Sequence, residues 1–543
     1  MRTIRQILED FIKFYSYFND DYYNIDLDDP IEFCVVYNKL LKKVYNGKHG
    51  NYFFKRFIIG DMKETGSGGI RWNRLLQKWE DIRYKNKHKY LLILCARSHG
   101  KTTKWSIMDT IYEGFIAKNY QQLIVSAGSG QSNLIIRDIR TIVENNEILS
   151  RLADFKHWST EFLAFNGGFI ISRGIGAEIR GLHPNRVVLD DILRSDEKMS
   201  ANKIKAFVME DIIPAIRPKN GDLVIVGTKK DATDIFSEIE ELIKEGAKRW
   251  KFFKFPGILD LDKKIVLAED IHSFEDLMEM KKTMGTLEFN KEILCEAMAE
   301  GSRIFPEELL QLAKDRDLSY EFKAEKGALY YAGADLARSG SVSADSTACL
   351  FIKNDQRFQR YVVTELYHKK GIKIKNQVKD VAVLCDKFNQ AILLVEENNF
   401  GKDFIDMMID DYSTTVESIR TTDVTKGDNI RRLLVVLENE KLKFPYCTNA
   451  DKEKTELIFN ELRRYVIKKT PAGNEKMEAS GHSHDDIVDA LSFAFKSAQV
   501  GGMTPGELPG IKGSELEHMM DLSMIPKMEG DLDSFNGPNI LIR

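Results

Sequence analysis

Two series of short apolar runs, separated by stretches with helical spacing, constrain this chain more than any other feature of its sequence. The first series holds YLLILCA (90–96), QLIVSA (122–127), FIISR (169–173), RVVLDD (186–191) and DLVIVGT (222–228). Strands that alternate with helices predict a parallel sheet covered on both faces. The second series holds ALYYAGADLA (328–337), TACLFIK (347–353), RYVVTELYH (360–368) and AILLVEE (391–397), and a helical stretch follows from about Asp485 to Ala498. Two such series predict two α/β domains, and a length of 543 residues is likewise too great for one ordinary core.

The expected organisation is a helical segment over 1–70, a first α/β domain over 71–260, a charged linker or lid over 261–325, a second α/β domain over 326–500, and a tail over 501–543. Thr65-Gly66-Ser67-Gly68-Gly69 marks the first boundary. The six cysteines are scattered without a CxxC pair, which argues against a zinc ribbon or a disulfide scaffold and for a reducing compartment. No apolar run reaches the roughly 18 residues of a membrane span, and the N-terminus, with Glu9 and Asp10, does not read as a signal peptide. The net charge of −4 excludes a strongly basic coating protein. The excess lies beyond Gly501, where seven acids face three bases, so residues 1–500 are neutral and any contact with nucleic acid needs local basic patches.

The first chemical site begins where YLLILCA runs into Arg97-Ser98-His99-Gly100-Lys101-Thr102-Thr103. A glycine-containing turn from strand to helix aims backbone N–H groups at phosphate oxygens. Lys101 would reach the terminal phosphates of a nucleotide, and the Thr102 hydroxyl would help to hold Mg²⁺. Cys95 stands where the usual P-loop has its first glycine. RVVLDD places Asp190 and Asp191 at a strand end, the first a candidate Mg²⁺ ligand and the second a candidate general base. Gly227-Thr228 ends a third strand and is placed to sense the γ-phosphate. Gln77 is a candidate adenine reader, and Arg97 and Arg180 are candidates for stabilising transition-state charge. A helix-surface glutamine and surface arginines are the plain alternatives.

The second site is made of acids. Asp335 ends one apolar strand, Glu396 follows another, and HSHDDIVDALSFAF supplies Asp485, Asp486 and Asp489. On a helix, Asp485 and Asp489 lie one turn apart, and Asp486 and Asp489 share a face. Acids at two strand ends and on a helix that packs across them can hold two Mg²⁺ or Mn²⁺ ions, which position a water for attack on a phosphodiester. Taken singly, each has a plain alternative: a strand end, a solvent-facing Glu396 or Glu397, a helix cap at Asp485, a turn acid at Asp345. His482 and His484 are read as solvated rather than as zinc ligands.

The order CARSHGKTT, IRGLHPNRVVLDDI, VIVGTKKDATDIF, AGADLA…ADSTACLFI, LLVEENNFG and HDDIVDALSFA resembles the large terminase subunit, the DNA-packaging motor and nuclease of tailed bacteriophages, over roughly residues 75–500. The resemblance implies a P-loop ATPase followed by an RNase H-like nuclease. It matches Arg97, Lys101 and Thr102 to the Walker A loop, Asp190 to the Walker B acid, and Gly227-Thr228 to the coupling motif. It matches Asp335, Glu396 and Asp485 or Asp486 to the nuclease metal ligands. The family often has Glu where Asp191 stands here. ATP with Mg²⁺, two further Mg²⁺ or Mn²⁺ ions, duplex DNA, a small terminase subunit, a portal and procapsid, a pentameric assembly and the host cytoplasm are implied in the same way.

Basic stretches (His368, Lys369, Lys370, Lys373, Lys375; Arg463, Arg464, Lys468, Lys469) are candidate phosphate contacts or solvated faces. Leu516, Met519, Met520 and Leu522 in the acidic tail suit a protein-docking helix, expected to engage the portal. The rival readings are a helicase-like ATPase fused to an RNase H-like recombination or repair nuclease, and a non-catalytic capsid-assembly docking protein.

Overall fold

Tyr90–Cys95 and Asp222–Gly227 are buried at every residue, as strands in the middle of a sheet covered on both faces must be. They are two of seven strands in the computed structural model of the chain: β1 (Tyr90–Cys95), β2 (Gln121–Ser126), β3 (Phe162–Phe165), β4 (Gly168–Gly174), β5 (Arg186–Asp190), β6 (Asp222–Gly227) and β7 (Trp250–Phe255). The structure describes residues 3–16, 25–45, 51–59, 73–87, 89–179, 181–193, 200–229, 234–298, 301–337, 346–397, 399–470, 475–480 and 485–500. Arg180, Asp345, His482, His484, the glycine-rich 65–69 and the tail lie outside them. The chain divides into two compact units, one of residues up to Met278 with Asn290–Ala297, the other of Glu279–Phe289 with the described residues from Met298 onward. No described helix is long and apolar enough to cross a membrane.

In the first unit the strand order is β3-β4-β2-β5-β6-β1-β7, parallel throughout except for the β3–β4 hairpin. This order inserts β6 between β1 and β5, so the ends of RVVLD, DLVIVG and YLLILC open on one edge of the sheet. The sequence signals β1, β2, β4, β5 and β6. It misses β7, where exposed Lys251 interrupts the apolar run of an edge strand.

The N-terminal helices Ile4–Ser16 and Pro30–Tyr45 do not stand apart from this unit. Ile7, Leu8, Phe11, Leu40 and Val44 share one apolar cluster with Met108, Ile111 and Tyr112, which follow β1, and with Ile135 and Ile139. A buried ionic knot fastens the same region. Lys55 Nζ lies 2.8 Å from Glu80 and 2.5 Å from Asp109, while Lys104 Nζ lies 3.1 and 2.6 Å from the same two carboxylates. All four side chains are buried, a placement tolerable only because each charge is met by two opposite ones.

β8 (Ile258–Asp260) and β9 (Ile265–Val266) form a small ribbon after β7. The second unit is built on β10 (Lys314–Asp315), β11 (Tyr330–Asp335), β12 (Ser346–Asp355), β13 (Arg360–Lys370), β14 (Ile392–Glu396), β15 (Val416–Ile419) and β16 (Leu442–Pro445), in the order β10-β16-β13-β12-β11-β14-β15. β11, β12 and β13 are an antiparallel meander, and the remaining pairs are parallel. The short connection between Asp355 and Arg360 leaves no room for the crossover that a parallel pair needs. β17 (Tyr465–Lys469) and β18 (Glu475–Ala479) make a separate hairpin.

The helix Asp486–Val500 lies across β11. A Cβ on Gly333 would stand 2.2 Å from Ala494 N and 2.3 Å from Ala490 O, so only glycine lets helix and strand approach this closely. Ile487, Val488, Leu491 and Ala494 join Leu350 and Ile352 in the core of the unit. That closure carries the acidic start of the helix towards the end of β11.

Two candidate active sites

The first site grows from the end of β1. Cys95 is buried and still paired, in register with Phe255 of β7, so the chain is strand at the position where a P-loop ordinarily turns on its first glycine. The turn follows it. Ser98 (φ 61°) and Gly100 (φ 81°) adopt left-handed conformations, strained for serine and open to glycine. The His99 ring folds underneath, its Nδ1 2.7 Å from Arg97 O, and burial pushes its pKa down to about 4, so it stays neutral. The helix starts at Lys101, which leaves the N–H groups of its first turn facing the loop.

Lys101 Nζ lies 3.0 Å from Asp191 Oδ1. Asp191 has φ 47° and donates its N–H to Val226 O, a turned conformation that brings its carboxylate back towards the loop. Asp190 is buried at the end of β5 and accepts from Thr102 Oγ1 (3.2 Å) and Ser106 Oγ. Burial first, and the neighbouring Asp191 second, raise the Asp190 carboxyl to about 7. Gly227 is close-packed, a Cβ there lying 3.2 Å from Asp191 Oδ1, and Thr228 is buried beside it. One sheet edge thus gathers Lys101, Thr102, Asp190, Asp191 and Gly227-Thr228.

The softer candidates are less committed. Thr103 opens a wide π-turn, Thr103–Met108, rather than facing the loop end. The Gln77 side chain bonds Asp81 of its own helix, Arg74–Lys85, at 3.4 Å. Arg97 is half-buried, and its backbone N–H is held by Glu292 O at 2.8 Å. Ser106 was not foreseen, although it stands one helical turn past Thr102, where a second hydroxyl on the same face is detectable by spacing.

The second site lies where β11 and β14 end side by side. Ala334 pairs with Val395, so Asp335 and Glu396 follow at adjacent strand ends. Glu397, by contrast, turns to Arg420 (3.3 Å) at the surface. Asp335 is pushed well above the carboxylate range, by burial first and then by Asp489, Asp486 and Glu396. Four acids of two strands and one helix therefore do converge.

Asp485 and Asp486 separate. Asp486 Oδ2 accepts from Ser346 N (3.1 Å) at the start of β12, on the Asp335 side. Asp485 stands just before the helix, its carbonyl accepting from Asp489 N, and its carboxylate meets Lys426 Nζ at 2.7 Å. Asp489 takes Lys426 Nζ at 2.6 Å and the Tyr465 hydroxyl at 3.0 Å, and burial raises it to about 6. Among the described residues no three His, Cys, Asp or Glu side chains already close on a single metal position. The donor set nevertheless suits a hard divalent cation: all oxygen, mostly buried, and with more negative charge than Lys426 alone offsets. Lys426 and Tyr465 carry no sequence signal of their own, being brought here by the sheet.

Glu461 is another unforeseen member. Its Oε2 accepts from Ile487 N (2.9 Å) and Val488 N (3.4 Å), capping the acidic helix from outside, and burial with Asp486 nearby raises it to about 7. A carboxyl raised in the folded state binds protons that the unfolded chain has released, so its ionisation subtracts stability progressively from about pH 4.5 to 7. Glu461→Gln should therefore melt higher than the parent at pH 8 without metal, and the gain should vanish by pH 5. Thermal melts at both pH values check this.

The expected phosphate contacts are partly occupied. Arg463 is held by Glu307 (2.7 Å) and Glu456 (2.9 Å), Lys369 by Asp380, and Lys468 by Glu478. Arg463 is thus a structural ion pair rather than an open basic contact.

Residues 332–498 match the family model described as terminase RNase H-like domain. Among solved structures, the large terminase of bacteriophage HK97 is 14% identical, with 78% of this chain and 95% of that one covered at a TM-score of 0.35. The large terminase of a thermophilic bacteriophage in complex with ADP is 15% identical, with 79% and 98% covered at 0.45. The large terminase nuclease of thermophilic phage G20c with bound magnesium is 20% identical, with 36% and 98% covered at 0.30. No curated protein matches the chain by sequence.

Proposed function

We propose, from the match of residues 332–498 to the terminase RNase H-like domain model, that the chain is a large terminase subunit, an ATP-driven motor for packaging duplex DNA that also cuts it. The observation that carries the reading is the pairing, in one chain, of that domain with a sheet edge that gathers Lys101, Thr102, Asp190 and Asp191.

At the first site the loop N–H groups and Lys101 bind the terminal phosphates of ATP. Lys101 then leaves Asp191, whose freed carboxylate orients the attacking water. Thr102 and Asp190 would hold Mg²⁺, Ser106 steadies the second oxygen of Asp190, and Mg²⁺ neutralises phosphate charge when bound. Arg97 would meet charge that develops on the phosphate, Gln77 would read the base, and Gly227-Thr228 would pass on the state of the site.

At the second site Asp335, Glu396 and Asp486, with Asp485 and Asp489 alongside, would hold two Mg²⁺ or Mn²⁺ ions, which supply an activated water and stabilise the leaving oxygen of a phosphodiester. Tyr465 and Glu461 orient the acids. The working partners are duplex DNA, a small terminase subunit and a portal-bearing procapsid, in the host cytoplasm, with the chain as a pentamer. ATP-dependent transfer of duplex DNA into empty procapsids is the test.

A further inference from the structure

Lys426 occupies a position that the fold alone does not favour. It lies in the first turn of the helix Asp423–Glu438, capped by Thr422 and Thr425, where the helix dipole disfavours a cation. Its ammonium is nevertheless fixed between Asp485 Oδ2 at 2.7 Å and Asp489 Oδ2 at 2.6 Å, and the other oxygen of Asp489 is taken by Tyr465. The acids of the cluster are thereby sorted. Asp485 and Asp489 are bridged by the amine, whereas Asp486 accepts from Ser346 N at 3.1 Å.

We propose that Lys426 and a divalent cation compete for Asp485 and Asp489, so that the cluster takes one cation tightly and a second only when the lysine is displaced. The proposal rests on the reading of this cluster as a metal-dependent nuclease. An ammonium between two carboxylates is, in charge and in oxygen contacts, a stand-in for a hard cation, and both cannot share two oxygens at this distance. The Lys426 side chain is 20% exposed, enough for solvent or a DNA phosphate to reach it. A phosphate of bound DNA is the anion able to re-pair the ammonium, which would make completion of the second cation position depend on the substrate.

The experiment is a titration of the full chain with Mn²⁺, free ion being followed by electron paramagnetic resonance, for the parent, Lys426→Met and Asp335→Asn. Lys426→Met should bind one more Mn²⁺ per chain than the parent, and Asp335→Asn one fewer. In the parent, acylation of Lys426 measured by mass spectrometry should rise several-fold as Mn²⁺ saturates, a readout that needs no substitution. If Asp335→Asn loses a cation while Lys426→Met gains none and the labelling ignores Mn²⁺, the competition is wrong and the nuclease reading stands. If neither substitution changes the count, the metal reading fails and the competition falls with it.

Discussion

Lys101→Ala should reduce ATP hydrolysis by at least about a hundredfold, the scale of losing one preorganised charge at a phosphoryl-transfer site. Lys101 is buried, and Asp191 raises its affinity for a proton, so it is a fixed cation at the mouth of the loop. Alanine removes the ammonium that would meet the terminal phosphates. Asp191 is partly exposed and can be solvated once its partner is gone, so the fold should survive. Cation-dependent cutting of duplex DNA should be unchanged, because the acids of the second site belong to another sheet in another unit. Phosphate release and plasmid cleavage, measured on the same preparation, check both halves. Loss of both activities in a folded protein would contradict the separation.

Asp335→Asn should do the reverse: cleavage falls by roughly two orders of magnitude or more, and ATP hydrolysis persists. The substitution keeps size and removes charge at the acid on which Asp489, Asp486 and Glu396 all act. It has a second consequence of opposite sign. Above the unfolded carboxyl range an ionised Asp335 costs the fold stability, since burial and three like charges oppose it. The asparagine variant should therefore melt higher than the parent at pH 8 in chelator, and that advantage should shrink when Mn²⁺ is added to the parent. A variant that both melts lower and retains cleavage would remove Asp335 from the centre of the site.

How much of this was readable beforehand depended on where the information lay. Buried central strands announce themselves as apolar runs, and the chemical residues at their ends (Lys101, Asp190, Asp335, Glu396) inherit that visibility. Edge strands do not: Lys251 and Lys254 break up β7, and Val416–Ile419 is too short to stand out. Residues that act from a distance in sequence were invisible for a different reason. Lys426 reaches Asp485 across 59 positions, and Glu461 reaches Ile487 across 26, with no periodicity to link them. The N-terminal segment looked separable because a glycine-rich stretch follows it, yet its apolar face packs on Met108 and Tyr112, and Lys55 is locked to Glu80. Arg463 looked basic in sequence and is neutralised in space by Glu307, 156 residues away.

The measurement that bears most directly on the central claim is protection of duplex DNA from nuclease digestion, after incubation with the chain, ATP and empty portal-bearing procapsids. Protected DNA should appear with the parent and with Asp335→Asn when ends are supplied ready-cut, and should be absent with Lys101→Ala. Unwinding of the duplex by the parent chain, with no DNA protected in the procapsids, would contradict the account.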